Sequence, residues 1–180
     1  AKMPSTPIPN YAFKNNTNLT FTNSATNWGL DTPSFSNGAA YGDLDNDGDL
    51  DLVVNNVNME SFVFRNNSEK NKTNHFVKVN LKGDLKNKFA VGSVVELFSG
   101  KEVIRQELIP SRGFQSSIDY AMTFGVGNKK IDSLQVIWPN GKTQTIKKVA
   151  LNTTINLSIA NATLDYVFKS AATKPLLKEV

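Results

Sequence analysis

Asp43-Leu44-Asp45-Asn46-Asp47-Gly48-Asp49-Leu50-Asp51 is the stretch on which the reading of this chain turns. Five carboxylates fall within nine residues, and at that spacing they repel one another unless a counter-charge sits among them. Asp43, Asp45 and Asp47 alternate, Gly48 permits the sharp turn by which the chain wraps, and Asp51 returns a fourth side chain. Hard oxygen donors gathered in this way suit calcium. In that arrangement Asp49 offers its backbone carbonyl and points its side chain outward. The expected metal residues are therefore Asp43, Asp45, Asp47, Asp49 and Asp51, with Ca2+ as the cofactor. The competing reading is a polar surface turn rich in Asp, Asn and Gly.

The opening of this stretch is similar to an EF-hand loop, but its twelfth residue is Val54, where an EF-hand needs a bidentate Glu. Its flanks, Gly38-Ala39-Ala40-Tyr41-Gly42 and Leu52-Val53-Val54, are strand-like and not helix-like. An ion here would tie together two β-strands. From Phe21 through Trp28-Gly29-Leu30 and Gly38–Asp43 to Asn55-Asn56, the chain resembles an FG-GAP or VCBS repeat. That resemblance implies a blade of an integrin-like β-propeller whose hairpin carries a calcium loop.

A second resemblance depends on a repeat inside the chain. Asn10-Tyr11-Ala12-Phe13-Lys14-Asn15-Asn16 recurs as Ser61-Phe62-Val63-Phe64-Arg65-Asn66-Asn67, fifty-one positions later, a spacing expected of propeller blades. Chance likeness between two short aromatic strands is the alternative. Residues 1–20 are accordingly expected to be the tail of a preceding repeat, and 21–73 the repeat with the calcium loop. From Asn74 the pattern changes to seven longer β-type segments: Phe76–Leu81, Gly92–Phe98, Glu102–Ile109, Ser117–Phe124, Leu134–Trp138, Thr143–Val149 and Ile155–Ile159. Ser99-Gly100 and Pro139-Asn140-Gly141 mark hairpin turns, so a small β-sandwich or barrel is expected over 74–160. Asn87–Ser93, Gly113–Ser116, Phe124–Gly127, Asp132 and Val136–Lys142 resemble the ASPIC/UnbV domain. Residues 161–180 read as a linker or tail, and the resemblance implies further repeats of the same polypeptide.

Composition agrees with an all-β architecture: the chain has 180 residues, is 39% apolar, and shows no convincing amphipathic helix in its first 160. There is no cysteine, hence no disulfide and no thiolate chemistry. No apolar run reaches the roughly 18 residues of a membrane span, and no signal-peptide pattern opens the chain. The net charge of +4 is spread from Lys14 to Lys178 without a dense cluster, so no nucleic-acid partner is expected.

Catalytic candidates are poor, and no catalytic residue is assigned. His75 is the sole histidine and no Gly-x-Ser-x-Gly elbow exists. Glu96, Glu102, Glu107, Asp119 and Asp132 show no paired spacing. A polar groove from Arg105, Arg112, Gln115 and Tyr120 is one open alternative, and sugar stacking by Trp28 or Trp138 is another, with a core position favoured for Trp138. The expected function is a calcium-binding, non-enzymatic adhesion or ligand-recognition module of a secreted or surface protein, bacterial by resemblance. Its partner would be an extracellular glycan or protein. The alternatives are an accessory module of a secreted polysaccharide- or phosphate-processing enzyme, and a purely structural spacer.

Overall fold

Short runs of alternating apolar and polar residues, broken by Asn and Gly, form β-strands throughout the computed structural model, which describes residues 5–167. The strands are β1 (Phe13–Asn15), β2 (Phe21–Asn23), β3 (Ser36–Gly42), β4 (Asp51–Asn56), β5 (Phe62–Phe64), β6 (His75–Lys82), β7 (Val94–Ser99), β8 (Glu102–Glu107), β9 (Met122–Gly127), β10 (Ser133–Ile137), β11 (Lys142–Lys147), β12 (Thr153–Ser158) and β13 (Leu164–Asp165). Among the described residues helical structure is limited to three single 3-10 turns, so the protein is all-β as expected. The strands make four sheets and no closed barrel.

One spatial unit runs through Asn80 and adds Ile109–Lys129 and Leu151–Ile155. Its blade is the antiparallel sheet β3-β4-β5, with β4 central and Gly42 opposite Asp51 at the mouth of the acidic loop. The matched segments of the internal repeat are both extended, one supplying β1 and the other β5. β1 pairs with β2, and Ile8 bridges Ser34, so the stretch before residue 20 is joined to the residues that follow it. In the same unit β6 lies between β12 and β9. Val77 and Val79 of β6 and Met122, Phe124 and Val126 of β9 are buried at alternate positions, which is the period of a strand with one face in a core.

The second unit comprises, among the described residues, Leu81–Leu108, Lys130–Ala150 and residues 156–167. Its five-stranded sheet has the order β13-β11-β10-β7-β8 around a core of Val95, Leu97, Leu134, Val136 and Trp138. Gly141, at φ +77°, turns the β10–β11 hairpin, where the Trp138 carbonyl accepts from the Gly141 amide at 2.9 Å. Asp132 accepts from the Gly100 amide at 2.8 Å and so braces the β7–β8 turn. β8 is an edge strand, and its Glu102, Arg105 and Glu107 discourage pairing with another chain.

All seven strands expected after Asn74 are present, with one displaced. β9 covers Met122–Gly127 and not Ser117–Phe124, because the buried alternating set begins at Met122, while Ile118 only donates to the Pro110 carbonyl. Within the segment expected to be a linker, Leu164 and Asp165 pair with Thr143 and Lys142, and the Tyr166 amide donates to the Gly141 carbonyl. β10 covers only one side of β11, which leaves its other edge to take up that pairing. Residues 168–180 of the segment lie outside the described residues.

Candidate metal centre

The loop between β3 and β4 folds on its own carboxylates. Asp45 Oδ1 accepts from the Asp47 amide at 3.3 Å and Asp47 Oδ1 from the Asp49 amide at 3.2 Å, successive side-chain turns that wind the backbone inward. Asn46 and Gly48 supply the positive φ values, +61° and +97°. Gly48 packs against the Phe76 ring: a Cβ there would stand 1.9 Å from Phe76 Cε1.

This winding brings carboxylate oxygens of Asp43, Asp45 and Asp47 within 4.8 Å of one another. Asp43 is the anchor. Its side chain is only 3% exposed, Oδ2 accepts from Lys78 Nζ at 2.9 Å, and Oδ1 is buried without a hydrogen-bond partner. A buried carboxylate with one orphan oxygen, grouped with two further carboxylates, is a donor set suited to a hard divalent cation.

The other two aspartates sit differently. Asp51 is 3% exposed, and both its oxygens are occupied by backbone amides, Oδ2 by Leu44 at 3.0 Å and Oδ1 by Asn66 at 2.8 Å. Asp49 groups with Asp47 and Glu69; its Oδ2 accepts from Ser68 Oγ at 2.8 Å and the Glu69 amide at 3.2 Å, and its Oδ1 is buried without a partner.

Repulsion within the loop is offset in part by the protein's own cations. Besides Lys78, Arg65 reaches across with Nε 2.8 Å from Asp45 Oδ2 and Nη2 3.0 Å from Asp47 Oδ2 and 3.3 Å from Glu69 Oε1. The Arg65 hydrogen bond holds the Asp47 carboxyl below its ordinary pKa against partial desolvation, and the same bond raises the pKa of Arg65. Arg65, Lys78, Glu69 and Phe76 were not among the residues expected at the site. Only Arg65 left a trace in the sequence, since the internal repeat places Lys14 at its equivalent position.

A cavity of about 560 Å3 opens beside the loop, lined in part by Asp47, Asp49, Glu69, His75, Phe76 and Asn152. No Lys or Arg lines it. His75 Nδ1 lies 3.0 Å from Asn152 Nδ2, and among the described residues no serine, threonine or carboxylate is bonded to the ring in a catalytic arrangement. Elsewhere Arg105 is paired with Glu96 at 2.7 Å on the neighbouring strand, while Arg112 and Gln115 stand exposed in the 109–121 segment. Trp138 is 2% exposed and belongs to the core, whereas Trp28 is 53% exposed.

Two family models match the chain: FG-GAP-like repeat over residues 6–54, and ASPIC and UnbV over residues 83–164. The first match starts earlier than the Phe21 boundary read from the sequence, in keeping with the pairing of β1 to β2. No curated protein matches the chain. No described helix is long and apolar enough to cross a membrane. The acidic hairpin lies at the C-terminal end of the first matched segment, and the chain contains an FG-GAP-like repeat match followed by an ASPIC/UnbV match, in the order read from the sequence.

Proposed function

We propose that this chain is a calcium-stapled, non-enzymatic recognition module of a secreted or surface-exposed protein. The observation that carries the reading is the Asp43–Asp45–Asp47 triad together with the buried, unpartnered Oδ1 of Asp43. Calcium there would take these three carboxylates into its coordination shell and fix the β3–β4 hairpin, whose loop has few apolar residues of its own. The adjoining cavity supports the recognition role, since its size is typical of small-ligand sites and its wall combines carboxylates and amides with an aromatic ring. A glycan or a peptide side chain is the class of ligand that such a wall accepts.

The test is thermal. Chelator-treated protein is titrated with calcium, with magnesium as control. Extracellular calcium modules have Kd values on the order of 0.1–1 mM. At about 100 times Kd the native state gains about 2.7 kcal/mol, which raises Tm by roughly 5–10 °C for a domain of this size. The shift should be specific to calcium and absent from an Asp45→Ala, Asp47→Ala double variant. An unchanged Tm in the parent, or an undiminished shift in the double variant, rejects the assignment. Binding on a glycan or matrix-protein array would separate recognition from a spacer role, and calcium-dependent turnover of glycans or phosphate esters would overturn the non-enzymatic reading.

A further inference from the structure

We infer that Arg65 is a built-in competitor for the cation of the acidic loop, so that calcium binds by exchange with its guanidinium. The inference rests on the calcium reading above and adds to it the group that sets affinity.

Two protein cations touch the triad, and they are held in different ways. Lys78, on β6, is 14% exposed and bonds the 3%-exposed Asp43 side chain, so its ammonium has little access to water. Arg65 is 55% exposed, just beyond β5, and bonds to the outer carboxylates Asp45 and Asp47. Its Asp45 Oδ2 and Asp47 Oδ2 contacts use oxygens that a metal would also need. The Glu69 carboxylate, 3.3 Å from the same Nη2, offers an alternative partner outside the triad.

Charge decides which cation can stay. The triad carries three negative charges, and Lys78 removes one, leaving two, which a single divalent ion neutralises. Keeping Arg65 in place as well would over-neutralise the triad itself and put a guanidinium against the metal at hydrogen-bonding range, on the same Asp45 and Asp47 oxygens. Metal entry therefore expels Arg65 toward Glu69 and water, a movement that its exposure permits. The loop is held together without metal, at a cost in calcium affinity. Exposed ion pairs are individually weak, so the two contacts given up together correspond to a change in Kd of about two- to thirtyfold.

Isothermal titration of calcium into chelator-stripped parent, Arg65→Gln and Arg65→Lys tests this, with Lys101→Gln as a control for net charge. Arg65→Gln is expected to bind calcium about three- to tenfold more tightly, Arg65→Lys to fall between it and the parent, and Lys101→Gln to match the parent. Independently, phenylglyoxal labelling of Arg65, read by mass spectrometry, should be faster with calcium than with chelator. Parent and Arg65→Gln binding equally, or the variant binding more weakly, overturns the exchange while leaving the calcium reading intact. Binding by Arg65→Gln alone supports it in its strongest form, with Arg65 closing the site. No binding by either protein removes both readings.

Discussion

Gly48→Ala is expected to destabilise the protein by about 3 kcal/mol or more, through two additive causes. The residue sits at φ +97°, where an L side chain is strained by about 1–3 kcal/mol. The added methyl also falls on the Phe76 ring, within 1.9–2.4 Å of three ring carbons, and overpacking of this kind costs about 1–3 kcal/mol. Urea melts followed by far-UV circular dichroism would show it, and calcium should recover little, because the strained turn is the one that wraps the metal. Trimming the ring separates the causes: in Gly48→Ala, Phe76→Ala the overlap is gone and only the backbone strain remains, so the pair should cost less than the sum of its parts. A Gly48→Ala variant within about 0.5 kcal/mol of the parent would mean that the loop does not rest on β6 in this way.

Asp51→Asn should be nearly as damaging, by about 3 kcal/mol, and equally so with or without calcium. Both oxygens of this buried carboxylate accept backbone amides, from Leu44 at one end of the loop and Asn66 after β5. An amide side chain must turn its NH2 toward one of those donors, losing a charge-assisted bond of about 1.5–3 kcal/mol and leaving a buried N–H unpaired. Asp45→Asn, half exposed and bonded to Arg65, is the contrast: it should be almost silent in chelator and show its cost only when calcium is present. If Asp51→Asn instead melts like the parent in chelator and loses only the calcium-dependent gain, Asp51 is a metal ligand, as its place in the sequence alone implies, and not the clasp of the loop.

The acidic loop was readable because its chemistry is local. Alternating aspartates and a glycine specify their own turn, and strand-like flanks on both sides excluded a helix–loop–helix. The strand pattern after Asn74 was legible for the same reason, period two being a property of neighbours in sequence. What escaped notice depends on pairs distant in sequence. Lys78 meets Asp43 from 35 positions away, and nothing around either residue announces the other. Phe76 reads as an ordinary strand residue until Gly48 is laid on it. The pairing of Leu164 with Thr143 was hidden because the segment around it has no period of its own; the sheet edge that it joins supplies the order.

One of these long-range contacts bears on how such repeats can be transplanted. The two residues bracing the acidic loop, Phe76 under Gly48 and Lys78 on Asp43, lie on β6, in the stretch between residue 54 and residue 83 that neither family model covers. A repeat excised as a cassette at the end of the first family match, residue 54, would leave its brace behind, exposing an aromatic ring on one piece and stranding a buried carboxylate on the other. Engineered fusions that borrow this hairpin should therefore be cut after β6, so that the loop travels with the strand on which it rests.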